Sequence, residues 1–291
     1  MATYRNSYEM LMDVREALLE YSEDITQGVE EGGAFSNHYI MRKINESVKD
    51  LYHILIPRIP EQFLVSTTAT FSGSSYTLPW NYGKIYELRD ENGLKVDHIK
   101  VKDSKYVSET GTDSYYYQLG SALKLDKTGV NKDYTIRYFK RPRDIHAGRI
   151  TASGSLTITL DADNGAKKIA DYYNGMVIEN ISSDWTDTIS DYTAARVATI
   201  TQTSLNIDDD YGLVPEIPEP FHFLIPLRAT LNIRMEHPVA LTNVSPLEWA
   251  NYNELLMHTI EAFGDNDEDV PFSEIFDDFS DQILYDYYTS T

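Results

Sequence analysis

The 291-residue sequence predicts an α+β fold: a helical bundle built from both chain ends, an antiparallel β-domain, a second inserted β-module and an extended C-terminal arm. Three observations predict it. Apolar residues recur at helical spacing near both ends, they alternate with period two in the middle, and the last stretch is acidic and aromatic. We therefore expect the bundle from 1–61 and 214–264, the β-domain at 62–148, the inserted module at 149–213 and the arm at 265–291.

The composition restricts the classes of protein that the chain can belong to. Its 25 Lys and Arg against 46 Asp and Glu give a net charge of −21, which argues against a phosphate-binding surface over most of the molecule. The absence of Cys excludes a disulfide scaffold and thiolate metal sites. No signal-like apolar run opens the chain, and no window approaches the roughly 20 apolar residues of a membrane span. The sequence predicts an acidic, soluble protein without membrane contact.

Two amphipathic helices are predicted in the N-terminal 61 residues. Asn6 is a suitable cap for the first helix, whose apolar stripe runs from Leu11 to Ile25 before a group of glycines interrupts it. The second helix should begin near Ser36 and end at Pro57. Stripes of this kind are typical of core packing, so both helices need partners.

The partners expected for them are two helices near the other end of the chain. Ser245 and Glu248 form a capping box with proline between them, and Gly264 stands where a helix stop is expected. A helix is also predicted over 220–236, with its first turn bent by Pro226. The apolar face of the last helix contains Trp249, Tyr252, Leu256, Ile260 and Phe263.

Between the helical regions the hydrophobic pattern changes to strict alternation. Residues 62–148 contain about half a dozen short alternating runs separated by Gly, Asn and Ser turns, which is typical of a small antiparallel β-domain. Residues 149–213 repeat this pattern with turns rich in Asp, Asn, Gly and Ser. We interpret them as a separate β-module inserted into the chain.

The final 27 residues differ from everything before them. Residues 265–291 contain nine Asp or Glu and no Lys or Arg. A helix of about 15 residues is marginal alone in water, so this segment must dock on its own body or on a neighbouring protein. Its composition favours an arm that binds a neighbour. The apolar residues at helical spacing, which we take as the docking residues, are Phe272, Ile275, Phe276, Phe279 and Ile283.

Motifs for catalysis or metal binding are weak. The seven histidines are scattered, residues 161–165 only partly match a calcium loop, and the acidic run 208–210 is more typical of a solvated turn. The nucleotide-binding and nucleophile-elbow motifs are missing from the sequence. We predict no catalytic residue, no cofactor and no metal. A third possible function, that of an acid–base hydrolase, is supported only by the number of carboxylates.

One short basic cluster stands out in the acidic chain. It consists of Lys140, Arg141 and Arg143, with Arg149 close behind. These residues are candidates for contact with a DNA backbone or with an acidic neighbour, such as the tail of the next subunit. A solvated strand end is the simpler alternative.

The order of these segments, together with five short stretches, resembles a known family. The stretches are 8–18, 44–51 (similar to an "INEALREL" helix), 76–79 ("Y-x-LP"), 134–142 ("L-x-L-x-Y-Y-x-x-P") and 217–227 ("P-E-x-F-H-x-x-I-P"). They resemble the head-to-tail adaptor, or connector, proteins of tailed bacteriophages, of the tail accessory factor type that lies beneath the portal. The module at 149–213 is larger than in compact members of that family.

The resemblance implies a non-enzymatic structural protein of the virion neck, assembled in the host cytoplasm. It implies a homo-oligomeric ring, usually twelvefold, with the portal protein on one side and a tail or nozzle protein on the other. DNA would pass through the ring without sequence-specific binding, and the C-terminal arm would dock on the portal. The alternative is a fibre or baseplate module that recognises a glycan or host receptor, since its aromatic content suits sugars.

Overall fold

The computed structural model describes residues 5–18, 35–79, 81–100, 115–125, 133–162, 165–203, 205–238 and 244–264. β-Structure predominates in these residues: three sheets are present and the helices are few. The predicted α+β fold organised around a helical bundle from both chain ends is therefore wrong. Helical periodicity identified the helices but did not identify what their apolar faces pack against.

The chain divides into two compact units. The stretch Pro60–Arg141 forms one of them, which we call the rolled-sheet unit. Met1–Ile59 and Pro142–Thr291 together form the other, which we call the helix–sheet unit. The strands between residues 149 and 213 thus belong to the same unit as the helices.

The described residues of the rolled-sheet unit form one seven-stranded sheet. The strands follow the order β1-β7-β3-β4-β5-β6-β2, and every neighbouring pair is antiparallel except β4 and β5. The outermost strands β1 and β2 are joined through a turn with a bridge between Ser72 and Ser75, so the sheet is nearly closed. The strands are β1 (Leu64–Thr70), β2 (Ser75–Thr77), β3 (Tyr82–Arg89), β4 (Lys95–His98), β5 (Tyr115–Leu119), β6 (Ala122–Leu125) and β7 (Asp133–Lys140).

Alternating side chains of these strands fill the inside of the rolled sheet. Phe71, Leu88, Leu123 and Ile136 are fully buried there, and the ring of Phe71 packs edge-on against Tyr134 with centroids 5.0 Å apart. Because side chains on a strand alternate between faces, the residues between them point outward. The outer face carries the charged side chains that are discussed below.

The helix–sheet unit has two four-stranded antiparallel sheets and the helices. One sheet has the order β12-β11-β15-β8 and the other β13-β14-β10-β9. The strands are β8 (Ala147–Arg149), β9 (Ala152–Gly154), β10 (Thr157–Thr159), β11 (Val177–Asn180), β12 (Trp185–Thr188), β13 (Asp191–Tyr192), β14 (Val197–Thr199) and β15 (Asp210–Leu213). The helices are α1 (Ser7–Ala17), α2 (Asn37–Leu55), α3 (Leu224–Glu236) and α4 (Pro246–Gly264).

The first helix shows why a separate bundle does not form. Helix α1 contacts β8 and β15 as well as α2 and α3. Its residue Ser7 donates a hydrogen bond from Oγ to the carbonyl of His146 at 2.5 Å and accepts one from the backbone N–H of Leu213 at 2.8 Å. Gly212 leaves room for the capping side chain of Asn6, which a Cβ at position 212 would strike. The helix start is thus built into the sheet.

Candidate interaction surface

Helix α4 is attached to its unit by a narrow stripe. Tyr252, Leu256 and Ile260 are buried, at four-residue spacing along one face. Near the end of the helix, Phe263 packs edge-on against Phe221 with ring centroids 5.5 Å apart. Most of the remaining circumference of this 19-residue helix is exposed.

The contact between α3 and α4 is made largely by arginine and aromatic side chains. Arg228 Nη2 lies 2.9 Å from a carboxylate oxygen of Asp50 on α2, and its Cζ is 5.8 Å from the ring centroids of both Trp249 and Tyr252. Arg234 Nη1 lies 2.6 Å from Glu248, the residue that completes the predicted capping box. These cation–π and ion-pair contacts add to the buried stripe of α4 and fix the N-terminal part of the helix against α3.

A polar cluster fixes the C-terminal end of α3 against α2. Glu236 accepts a hydrogen bond from the hydroxyl of Tyr39 at 2.8 Å and one from Lys43 Nζ at 2.5 Å. Burial, together with the neighbouring Glu236 carboxylate, raises the pKa of Tyr39 to about 12, so its hydroxyl stays a donor at neutral pH. The cluster therefore fixes the C-terminal end of α3 on α2.

Large apolar side chains remain exposed on this pair of helices. All of them are between 37% and 67% exposed, and they lie on more than one side of the two helices: Leu255 and Met257, two residues apart, are about 200° apart around the axis of α4. We call this set the helix-pair surface. It comprises Leu227, Met235, Leu247, Leu255 and Met257.

The predicted basic cluster does not act as one exposed patch. Arg143 is buried, and its guanidinium lies 2.6 and 2.8 Å from the two carboxylate oxygens of Glu216. It also donates to the carbonyls of Tyr172 and Asn174, at 3.0 and 2.7 Å. Arg143 therefore has a structural role: it links segments that are far apart in the sequence.

The other three basic residues have different surroundings. Arg149 Nε lies 3.0 Å from Asp210 on the neighbouring strand, within the helix–sheet unit. Lys140 and Arg141 belong to the rolled-sheet unit, where the exposed Arg141 has its Cζ 6.0 Å from the ring centroid of Tyr82. Whether they contact DNA or another subunit stays a prediction. The predicted docking residues Phe272, Ile275, Phe276, Phe279 and Ile283 lie outside the described residues.

The acidic segments considered for cation binding have other partners. Asp209 accepts hydrogen bonds from Asn180 at 2.9 Å and from Ser183 at 2.5 Å, which closes a loop next to β11. Asp210 is paired with Arg149 as above. Within the part of the chain that the structure describes, no group of three His, Asp or Glu side chains is arranged to hold a metal ion.

Sequence reasoning missed the helix-pair surface. The apolar face that it predicted for α4 has three buried residues, Tyr252, Leu256 and Ile260, and two that are partly exposed, Trp249 and Phe263. A signal was present in the sequence: Leu247, Leu255 and Met257 lie outside the predicted apolar face of α4. A helix that buries one stripe needs no apolar residues elsewhere, so these three could have indicated a second contact.

No described helix has both the length and the apolar character needed to cross a bilayer. No protein-family model matches the chain, and no curated protein matches it in sequence.

Proposed function

We propose that this chain is a structural protein of the virion neck of a tailed bacteriophage. In this proposal it forms a ring, twelvefold by the resemblance stated above, that joins the portal to the tail or nozzle and surrounds the DNA channel. It has no enzymatic role, and it acts by binding the portal, the tail and further copies of itself.

The observation that carries the proposal is the helix-pair surface. Exposed leucine and methionine side chains on adjacent helices favour burial against another protein, at about 25 cal/mol for each Å² of apolar area. Helix α4 is held by its narrow buried stripe, by the ion pair of Arg234 with Glu248 and by the packing of Arg228 against the rings of Trp249 and Tyr252, so the rest of the helix is left exposed. Many identical contacts of this modest kind suit a closed ring, in which later contacts become intramolecular.

The net charge supports the proposal that DNA passes through the ring. At −21, most of the surface repels a polyanion, so DNA would pass such a ring without adhering to it. The arm at 265–291 follows directly after α4 and contributes nine of the acidic residues. In the proposal its apolar residues dock on the portal.

The test is assembly of the purified full-length chain with its cognate portal protein. We expect the chain alone to be monomeric by light scattering, and the mixture to give rings on the portal in electron micrographs. The variant Leu255→Glu should weaken this assembly at least about tenfold, because it places a charge in the apolar contact.

Ile169→Glu is the matched control, since Ile169 is 51% exposed in the same unit but is not part of the helix-pair surface. Truncation after Gly264 should also abolish portal binding. Failure to bind the portal, combined with binding to a glycan array, would overturn the neck proposal in favour of the fibre or baseplate alternative.

A further inference from the structure

The charges of the chain are divided unequally between its two units. The rolled-sheet unit, residues 60–141, contains 12 Lys and Arg against 10 Asp and Glu, a net charge of +2. The rest of the chain contains 13 against 36, a net charge of −23, of which −9 belongs to residues 265–291. The rolled-sheet unit is therefore the part of the molecule with which an acidic segment is electrostatically compatible.

A buried carboxylate organises two arginines on the outer face of this sheet. The side chain of Glu87 is 8% exposed, and its Oε1 lies 2.7 Å from Arg137 Nη1 and 3.0 Å from Arg89 Nε. Its Oε2 accepts a further bond from Arg89 Nη2 at 3.0 Å. The two guanidinium groups hold the pKa of Glu87 below its ordinary value, so the carboxylate is ionised at neutral pH and the group of three carries one net positive charge.

A β-bulge brings an aromatic ring beside these arginines. The pairing of β3 with β7 shifts register between Ile85 and Glu87, so Tyr86 is the extra residue of the strand. Its side chain is 45% exposed, and its ring packs edge-on against Phe139 with centroids 5.9 Å apart. The Cζ of Arg137 lies 5.6 Å from the centroid of the Tyr86 ring.

Arg137 retains donors for a ligand. Its Nη1 is bound to Glu87, whereas its Nε and Nη2 make no hydrogen bond to any of the described residues. Its side chain is 39% exposed. A guanidinium fixed by one carboxylate and by a ring is prepared to bind a second carboxylate through its remaining N–H groups. We call Tyr86, Glu87, Arg89 and Arg137 the Tyr86 patch.

We propose that the Tyr86 patch is the docking site for the acidic segment 265–272 of a neighbouring copy of this chain. That segment, Asp-Asn-Asp-Glu-Asp-Val-Pro-Phe, places four carboxylates immediately before three apolar residues. One carboxylate binds the free donors of Arg137, and the apolar residues lie against the Tyr86 ring. Only the choice of a neighbouring copy rests on the proposed ring; the surface and its ligand follow from the charges and the geometry.

The proposal is compatible with an arm that also reaches the portal. The 27 residues after Gly264 span up to about 90 Å when extended. The first part of the arm, including Phe272, can therefore occupy the Tyr86 patch while Ile275, Phe276, Phe279 and Ile283 continue to the portal. A polyanion such as DNA fits the patch less well, because the Glu87 carboxylate lies at its centre and the neighbouring outward positions on β1 are Ser66, Thr68 and Thr70.

The test is photo-cross-linking in the full-length chain with p-benzoylphenylalanine in place of Tyr86. Copies labelled with ¹⁵N are mixed with unlabelled copies, once on the portal and once without it at a concentration far above that at which the chain is monomeric. The cross-linked peptides are identified by mass spectrometry. We expect cross-links from position 86 to residues 265–272 that join a labelled to an unlabelled peptide. Adding Arg137→Gln should reduce the yield of these cross-links about tenfold. Arg137→Lys should reduce it less, because lysine keeps the positive charge but lacks the paired N–H donors of the guanidinium.

Lys124→Gln is the matched control: it removes the same charge from the same unit, on β6, which lies three strands from β3 in the sheet, and should leave the yield unchanged. Cross-links only within one copy, or none to the arm, would overturn the proposal. So would binding of a DNA duplex that Arg137→Gln abolishes and Lys124→Gln does not. Rings on the portal without arm cross-links would overturn this inference alone, whereas cross-links between copies without portal binding would overturn only the proposed function.

Discussion

The two units of this protein are stabilised in different ways. Among the described residues of the rolled-sheet unit, the interior is apolar, and the buried charged side chain is Glu87, which lies on the outer face between two arginines. The helix–sheet unit buries Arg15, Lys43, Arg143 and His146. Short strands of two to four residues contribute little apolar area, so this unit depends on polar ties between distant segments. We therefore expect changes of pH and single polar substitutions to change the stability of the helix–sheet unit more than that of the rolled-sheet unit.

The two units also differ in which residues their turns place at positive φ. The described turns of the rolled-sheet unit place glycine at positive φ, at Gly73, Gly93 and Gly120. The helix–sheet unit places other residues there as well, including Leu156 and Arg196, at φ of 63° and 66°. Such residues are less stable in this conformation than glycine, so the tertiary contacts of the helix–sheet unit must hold them.

Acidification should give the largest difference between the units. Burial, with smaller contributions from Arg196, His38 and Lys167, lowers the pKa of His146 to about 3. The unfolded chain takes up this proton near pH 6.5, so stability is complete above pH 6.5 and is lost as the pH falls toward 3. The loss is on the order of 5 kcal/mol by pH 3, about half of it by pH 4.5.

Urea unfolding at several pH values, followed by peptide-resolved hydrogen exchange, separates the two units. His146→Gln should flatten the pH dependence of the helix–sheet unit, whereas His258→Gln, at a side chain 68% exposed, should not. An equal loss of stability in the rolled-sheet unit between pH 6.5 and 4.5 would contradict the comparison.

Loss of the buried arginine should give the next largest effect. Arg143→Met leaves the Glu216 carboxylate and two carbonyls without their donor, and we expect the helix–sheet unit to lose roughly 4 kcal/mol of unfolding free energy. The double variant Arg143→Met/Glu216→Leu should recover much of this loss, because both charges are then removed. Denaturant titration measures both, and Arg141→Met should change stability by less than about 0.5 kcal/mol.

A core truncation tests the rolled-sheet unit by itself. Leu123 is fully buried, so Leu123→Ala should reduce the unfolding free energy of this unit by about 3 kcal/mol through the cavity that it leaves. Leu119→Ala, at a side chain 56% exposed in the adjacent strand, is the control. Hydrogen exchange that rises equally in the helix–sheet unit would show that the two units unfold together.

The smallest predicted effect is a gain in stability. Leu156 is 40% exposed and has a φ of 63°, a conformation that asparagine tolerates better than leucine. Leu156→Asn should raise the melting temperature, by an amount that corresponds to about 1 kcal/mol. Leu94→Asn, at an exposed leucine without positive φ, should leave it unchanged; a decrease for Leu156→Asn would mean that this side chain has a packing role.

The sequence by itself determined the local events of the fold. The cap at Asn6, the start of the second helix near Ser36 and the capping box at Ser245 all lie where they were predicted. The turn at Gly93 between β3 and β4 is likewise closed by neighbouring residues, with hydrogen bonds between Asp90 and both Gly93 and Leu94. Each of these depends on backbone groups within about four residues of one another, so the necessary information is contiguous in the chain.

Only the tertiary structure decided what those elements pack against. Helix α1 docks on β8 and β15, Arg143 is buried against Glu216, β4 pairs with β5 in parallel, and a bulge exposes Tyr86 beside Arg137. Hydrophobic periodicity says that a face will be buried but not by which partner. That choice depends on the complementarity of segments more than 200 residues apart, as with Ser7 and Leu213, whose separation is 206.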